Sequence, residues 1–203
     1  MNSRYRQTQF YASASRLAQL PDDSTREVAF AGRSNAGKSS ALNRLTDNSK
    51  LARTSRTPGR TQLINHFTVS NGRYLVDLPG YGFAKVSRQQ KNAWLRLLTD
   101  YFTERRELVG VVIVMDSRHP LTDNDWQMIE LQQRSMAELH ILLTKCDKLS
   151  RKQANDSLMN TRSTLEEAGV EASLQTFSAT KGEGVADLAG VLDDWLFDQT
   201  GSA

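Results

Sequence analysis

Short apolar runs alternate with segments of helical periodicity along this 203-residue chain. Uninterrupted apolar runs are typical of strands covered on both faces, and they predict buried strands at Leu108–Met115 and Ile141–Leu143. Two further strands are expected at Glu27–Ala31 and Leu174–Phe177. Helical spacing predicts helices over Ser39–Leu45, over the apolar face Ala93, Trp94, Leu97, Leu98, Tyr101 and Phe102, from Thr122, from Ser150, and over Val185–Leu196. Strands that alternate with helices form a mostly parallel sheet, which binds ligands at the carboxyl ends of its strands.

One pair of runs is joined too tightly for a helix to intervene. Leu63–Val69 and Tyr74–Val76 are separated by Asn71-Gly72, and Asn-Gly between such runs predicts a β-hairpin. The expected fold class is therefore α/β, with a mostly parallel six-stranded sheet, one antiparallel edge strand and helices on both faces.

The length allows one well-buried domain, which we expect over residues 23–199, with a short tail at 200–203. Residues 1–22 form a basic arm, because Arg4, Arg6 and Arg16 have no acidic neighbour before Asp22. This composition fits either a transit peptide or an arm packed on the domain. The longest apolar run, Leu108–Met115, is too short to span a membrane, which takes roughly 20 residues. With one cysteine, we expect a cytoplasmic protein, and we expect a monomer.

Charge is distributed unevenly along the chain. Lys and Arg greatly exceed Asp and Glu in the first half, whereas the second half is net acidic. Five cations fall in one short stretch: Arg44, Lys50, Arg53, Arg56 and Arg60. This excess favours a nucleic-acid partner, although a phosphate-binding half would be basic in any case.

A glycine-rich segment follows the first predicted strand and precedes a helix. Gly32-Arg33-Ser34-Asn35-Ala36-Gly37-Lys38-Ser39 fits the phosphate-loop pattern G-x-x-x-x-G-K-[ST] in the required context. Its glycines let main-chain N–H groups surround phosphate oxygens, and the helix N-terminus adds partial positive charge. We expect Lys38 to reach the β- and γ-phosphates and Ser39 to bind Mg²⁺. A glycine-rich turn with a surface lysine is the alternative.

Two further segments follow predicted strands. Asp77-Leu78-Pro79-Gly80 fits an element in which the aspartate holds Mg²⁺ through water and the Gly80 N–H approaches the γ-phosphate. The same pattern recurs at Asp187–Gly190 and Asp198–Gly201, but not after a strand. Thr144-Lys145-Cys146-Asp147 is typical of guanine recognition, because a carboxylate accepts hydrogen bonds from guanine that adenine cannot donate. Phe177-Ser178-Ala179 ends the next strand, where main-chain N–H groups could meet the guanine O6.

Four segments together carry a family resemblance: Gly32–Ser39, Thr57-Pro58-Gly59-Arg60-Thr61-Gln62, Asp77-Leu78-Pro79-Gly80-Tyr81-Gly82 and Asp116-Ser117-Arg118-His119. They resemble the YihA/EngB/YsxC family of bacterial GTPases, which belongs to the translation-factor class. The resemblance implies a phosphate-loop NTPase G domain that hydrolyses GTP to GDP. It implies a role in assembling the large ribosomal subunit and in normal cell division and septation. It also places Gly59, Arg60, Thr61, Gln62 and Leu63 in a switch segment, with Thr61 as the second protein ligand of Mg²⁺.

Three hypotheses concern mechanism. Tyr81 follows Gly80 where Ras-like enzymes place a water-orienting glutamine, which predicts slow hydrolysis. Asn35 fits either a potassium ion beside the phosphates, as in related GTPases, or only the backbone geometry of the loop. Lys85, Arg88 and Lys91 could form a basic patch that contacts ribosomal RNA. With Lys38, Thr61 and Gly80, Asn35 completes the expected catalytic set.

Two other functions remain open at the level of sequence. A phosphate-loop kinase would transfer the γ-phosphate to a small metabolite, but it would have no use for a guanine-reading Thr144–Asp147. A nucleotide-responsive scaffold at the division site would bind GTP with little hydrolysis.

Overall fold

The computed structural model describes residues 3–52, 63–81 and 87–197. Its strands are β1 (Gln9–Ala14), β2 (Arg26–Gly32), β3 (Ile64–Ser70), β4 (Arg73–Asp77), β5 (Leu108–Asp116), β6 (Glu138–Thr144) and β7 (Ser173–Thr176). Its α-helices are α1 (Lys38–Leu45), α2 (Arg88–Glu104), α3 (Asp123–Gln132), α4 (Arg151–Glu167) and α5 (Val185–Phe197). The strands and helices alternate along most of the chain, as the apolar pattern predicted.

The strands form one sheet in the order β1-β3-β4-β2-β5-β6-β7. Only β3 runs antiparallel to its neighbours, β1 and β4, while the other pairings are parallel. The α/β class is confirmed, but the prediction of six strands with the antiparallel strand at the edge is wrong. Part of the basic arm forms the additional edge strand β1. Its residues are mostly exposed and its register shifts between Phe10 and Ala12, so no alternation of apolar residues marks it.

The hairpin between β3 and β4 confirms the Asn71-Gly72 prediction. Gly72 has a left-handed φ of 70°, and a side chain there would begin 2.9 Å from the Thr25 hydroxyl oxygen. Because both the backbone angle and the space favour glycine, this residue fixes the register Thr68↔Tyr74.

The helices pack on both faces of the sheet, again as predicted. One face carries α2, α3 and α4, whose buried side chains include Leu98, Tyr101, Met128, Ile129 and Leu165. The other face carries α1 and α5, which bury Leu42, Leu45, Leu188, Leu192 and Trp195. Ala93, expected on the apolar face of α2, is exposed instead, because the buried stripe runs through Leu98, Tyr101 and Phe102.

Within the described residues, no helix has the length and apolar character to cross a membrane. The parallel arrangement of β2, β4, β5, β6 and β7 brings their carboxyl ends to the same edge of the sheet. Gly32, Asp77, Asp116 and Thr144 are the last residues of the first four of these strands.

Candidate functional site

The candidate phosphate loop lies between β2 and α1, so the chain passes from strand to helix within five residues. Asn35 and Gly37 adopt left-handed φ angles of 65° and 105° to make this turn. A side chain at Gly37 would begin 3.2 Å from the Thr144 hydroxyl oxygen, and one at Gly32 would begin 3.0 Å from the Val114 carbonyl oxygen. Because glycine has no side chain, the loop can approach Val114 and Thr144 of the neighbouring strands closely at these two positions, as the tight turn from strand to helix requires.

Lys38 and Asp77 join two of the predicted elements. The Lys38 ammonium forms an ion pair with the Asp77 carboxylate, and both side chains are about nine-tenths buried. Lys38 is the first residue of α1, and Asp77 is the last residue of β4. The predicted phosphate-binding cation therefore lies beside the predicted Mg²⁺-associated carboxylate.

The oxygen donors here fit magnesium chemistry. Ser39 follows Lys38 in the first turn of α1 and carries a hydroxyl, which together with the Asp77 carboxylate is the kind of hard donor Mg²⁺ prefers. In the described part of the chain, no group of three or more His, Cys, Asp and Glu side chains could hold a metal alone. A magnesium ion here would therefore depend on substrate phosphate oxygens as well. Thr61, the other predicted ligand, lies outside the described residues, as do Gly59, Arg60 and Gln62; Leu63 is half-buried just before β3.

The segment between β4 and Gly80 is attached to its surroundings at two residues. Leu78 is buried, and its main-chain N–H donates to the Phe30 carbonyl at 3.0 Å. The Trp94 indole N–H of α2 donates to the Pro79 carbonyl at 3.4 Å. Of the two competing D-x-x-G matches, Asp187–Gly190 lies inside α5, and Asp198–Gly201 lies outside the described residues. The structure thus brings the Asp77 copy to the phosphate loop.

Tyr81 is a core residue rather than an exposed one. Its side chain is buried, and its hydroxyl donates to the Asp125 carboxylate at 2.9 Å. Burial and the adjacent carboxylate hold the pKa of Tyr81 well above its usual value, so the phenol stays protonated. In this arrangement Tyr81 points its hydroxyl at α3, a partner that the sequence did not reveal.

Thr144 and Lys145 tie the predicted base-reading element to the phosphate loop. The Thr144 hydroxyl bonds the Ala36 carbonyl and lies 3.0 Å from the Met115 carbonyl. Lys145 has a left-handed φ of 59°, and its ammonium donates to the Asn35 carbonyl at 2.6 Å. Motifs more than 100 residues apart in sequence therefore form one contiguous site.

Ser178 orients the predicted guanine-reading carboxylate. Its hydroxyl donates to Asp147 Oδ1 at 2.7 Å, and this bond holds the pKa of Asp147 below its ordinary value. Ser178 is fully buried, and its own N–H donates to the Glu183 carbonyl at 3.0 Å. Phe177 is buried beneath the loop, while Ala179 is partly buried beside Ser178. A fixed, ionised carboxylate is the state that accepts hydrogen bonds from a base.

The Cys146 thiol is not activated for chemistry. Cys146 is buried, and burial raises the pKa of its thiol to about 11, with the Glu183 carboxylate 3.4 Å from the sulfur. A protonated, buried thiol is a poor nucleophile. The geometry agrees with its interpretation as the variable position of the motif.

Asp116 is a site residue to which the sequence gave no role. Its buried carboxylate receives two hydrogen bonds from the Arg118 guanidinium, at 2.9 and 2.7 Å, one from the Arg118 main-chain N–H at 3.1 Å, and one from Lys145 at 2.9 Å. The Arg118 guanidinium is the main cause of its pKa lying well below the usual value. The sequence feature that could have identified Asp116 as a site residue is an acidic residue at the end of a buried strand, followed two residues later by arginine.

Comparisons with known proteins agree with this geometry. Residues 27–145 match the family described as "50S ribosome-binding GTPase". The chain is 50% identical over 192 residues to the probable GTP-binding protein EngB of Vibrio parahaemolyticus, covering 95% of this chain and 88% of the relative. It is 50% identical over 195 residues to the corresponding protein of Escherichia coli, covering 96% and 93%.

Solved structures give the same fold at lower sequence identity. A crystal structure of a probable GTP-binding protein EngB matches with a TM-score of 0.66 and 20% identity, covering 84% of this chain and 98% of that one. Era in complex with MgGDPNP and nucleotides 1506–1542 of 16S ribosomal RNA matches with a TM-score of 0.65 and 17% identity, covering 88% and 59%. By its matched family and its close relatives, the chain belongs to the EngB family of GTP-binding GTPases.

Proposed function

We propose that this GTPase binds guanine nucleotides at the edge formed by Gly32–Ser39, Asp77–Gly80, Thr144–Asp147 and Phe177–Ala179, and acts as a switch. The observation that carries the proposal is the bond from Lys145 to the Asn35 carbonyl, because it joins the base-reading element to the phosphate loop. In this role Lys38 contacts the β- and γ-phosphates, the Gly80 N–H approaches the γ-phosphate, and Asp147 reads the base.

Ser39 and Thr61 would hold Mg²⁺, with Asp77 bonding through a water molecule. A bound magnesium ion would neutralise charge on the β- and γ-phosphates during hydrolysis. Lys38 already lies within reach of this region, because its present partner is Asp77. Asn35 could accept a potassium ion beside the phosphates, and hydrolysis that is unchanged when KCl replaces NaCl would exclude that role.

Slow intrinsic hydrolysis is expected, at a rate of the order of Ras, about 10⁻⁴ s⁻¹, or below. The buried Tyr81 phenol bonds Asp125 and does not offer a group that could orient a water molecule. Steady-state hydrolysis in which the purified protein alone turns over many GTP molecules per second would contradict this.

The partner we propose is the large ribosomal subunit, where the switch would act in 50S assembly in the cytoplasm and thereby support cell division and septation. The matched family description names 50S ribosome binding. On α2, Arg88, Lys91 and Arg96 are exposed and have no ion-pair partner among the described residues, so they could contact phosphates. Lys85, which we expected in the same patch, lies outside the described residues.

Ribosome binding can be tested by sedimentation with purified 50S subunits in GDP and in a non-hydrolysable GTP analogue. We expect binding that depends on nucleotide and on salt, and that weakens at least tenfold when Arg88 and Lys91 are changed to Glu. Changing Lys152 and Arg162 of α4, which are also exposed, to Glu is the matched control. If the α4 variant lost as much affinity for 50S subunits as the α2 variant, the change in net charge alone would explain the loss.

The second candidate, a scaffold at the division site, differs in one observable. Such a protein would bind GTP without subunit-stimulated hydrolysis. Single-turnover hydrolysis with and without 50S subunits therefore separates the two, and stimulation favours the switch.

A further inference from the structure

Gly80 is the residue whose N–H would sense a γ-phosphate, and the residues on either side of it are bonded to different helices. The Pro79 carbonyl accepts from Trp94 of α2 at 3.4 Å. The Tyr81 hydroxyl donates to Asp125 of α3 at 2.9 Å. These two bonds restrain the residues on either side of Gly80, so that a displacement of Gly80 acts on α2 and α3.

The main chain of Tyr81 is attached to the phosphate loop as well. Its N–H donates to the Gly32 carbonyl at 3.4 Å, and its carbonyl accepts from the Ser34 N–H at 2.9 Å. These bonds form a bridge between residues 33 and 81 beyond the end of β2. Tyr81 therefore contacts the phosphate loop through its backbone and α3 through its side chain.

Asp125, which accepts from the Tyr81 hydroxyl, also caps the N-terminus of the helix in which it lies. It is almost fully buried, and its second carboxylate oxygen accepts from the Thr122 N–H at 2.9 Å and from the Thr122 hydroxyl at 2.7 Å. Three donors thus satisfy one buried carboxylate. Losing the Tyr81 bond would leave a buried oxygen without this partner, which has a large energetic cost.

The geometry points to Tyr81 as a positioning residue that couples the nucleotide state at Gly80 to the N-terminus of α3 through Asp125. The inference rests on the proposed nucleotide site and adds a route by which that site reaches another surface. A ligand that moves Gly80 strains the hydrogen bond between Tyr81 and Asp125. The strength of this bond therefore differs between the two nucleotide states. By linkage, that difference appears in the ratio of the affinities for the two nucleotides.

The first test uses the unaltered protein. Hydrogen exchange of the α3 amides around Trp126 and Met128 is compared in GDP and in a non-hydrolysable GTP analogue. We expect protection to differ between the two states at this helix start, and the same protection in both would overturn the inference. Failure to bind either nucleotide would instead refute the proposed function.

The second test uses Tyr81→Phe, which removes only the hydroxyl. The ratio of the dissociation constants for the GTP analogue and GDP should change at least fivefold, and the exchange difference at α3 should be lost. Thr122→Ala is the matched control, because it removes another donor to the same carboxylate but leaves Tyr81 in place; its ratio should change less than twofold. A Tyr81→Phe protein with an unchanged ratio would show that Tyr81 has only a structural role.

Discussion

At the scale of single residues, the motifs predicted the candidate site but did not reveal the hydrogen bonds that orient its side chains. Lys38, Asp77, Thr144 and Asp147 could be singled out because their residue types and spacing are tied to phosphate and base recognition. The bonds from Ser178 to Asp147 and from Lys145 to Asp116 depend on which strand ends become neighbours, and this is decided by the sheet rather than by local sequence.

The Ser178 bond leads to a prediction about affinity. Ser178→Ala removes the donor that fixes the Asp147 carboxylate, and it also removes the acceptor of the Lys181 main-chain N–H at 3.1 Å. We expect the GDP dissociation constant to rise about fivefold, the equivalent of about 1 kcal/mol for one hydrogen bond. Titration calorimetry measures this, with Ser163→Ala on exposed α4 as control. An unchanged dissociation constant would mean that Asp147 needs no orientation.

His140 gives a prediction about acid stability. It lies on β6, and burial lowers its pKa from 6.5 to about 4, so the folded protein keeps the ring neutral. The unfolded chain binds the proton at higher pH than the folded protein does. The free energy of unfolding is therefore unaffected by this group above pH 6.5, and it falls as the pH is lowered towards 4. The total loss from this group is about 3 kcal/mol.

Denaturant unfolding at several pH values measures that loss. His140→Gln, which cannot titrate, should lose less stability between pH 6.5 and 4 than the unaltered protein does. If the free energy of unfolding fell equally with pH in the two proteins, His140 would not be the cause of the loss.

At the scale of elements, the sequence predicted those with strong periodicity or a turn signal. The β3–β4 hairpin was found because Asn-Gly between two apolar runs has a direct local cause. β1 was missed because an edge strand with exposed residues and a shifted register has no alternating pattern. The sequence also did not predict the contact between Arg105, directly after α2, and Glu27.

Arg105 lies directly after α2 and bonds the fully buried Glu27 at the start of β2, at 2.5 and 3.1 Å. Tyr101 donates to the same carboxylate at 2.8 Å, and the His66 ring lies 3.4 Å away. Burial disfavours the charged carboxylate, but its His66 and Arg105 partners outweigh burial and lower the pKa of Glu27 to about 2. Glu27 therefore stabilises the fold above pH 4.5, and this contribution is lost as pH falls towards 2.

Arg105→Met should destabilise the protein by about 3 kcal/mol, because it leaves the Glu27 carboxylate buried without its main cation. The double variant with Glu27→Gln should recover part of that loss. Denaturant unfolding of both variants at pH 7 is the measurement. No recovery in the double variant would contradict an electrostatic origin.

At the scale of the whole molecule, the residues of the candidate site come together because parallel strands end at one edge of the sheet. Gly32, Asp77, Asp116 and Thr144 are far apart in sequence, and each is the last residue of its strand. The alternating pattern predicted this convergence, since ligands of open α/β sheets bind at the carboxyl ends. The connection from Gly80 to α2 and α3 could not be predicted, because it depends on how the helices pack over the sheet.

The most direct test of the central claim, that this edge reads a guanine base through Asp147, is calorimetric titration of the unaltered protein and Asp147→Asn with GDP and xanthosine diphosphate. A carboxylate accepts from the guanine ring N–H and 2-amino group, whereas a carboxamide can instead donate to the 2-oxo group of xanthine. We predict that the unaltered protein prefers GDP and that Asp147→Asn weakens GDP binding about 100-fold or more while improving binding of xanthosine diphosphate. GDP affinity that survives the substitution, with no gain for xanthosine diphosphate, would contradict the account.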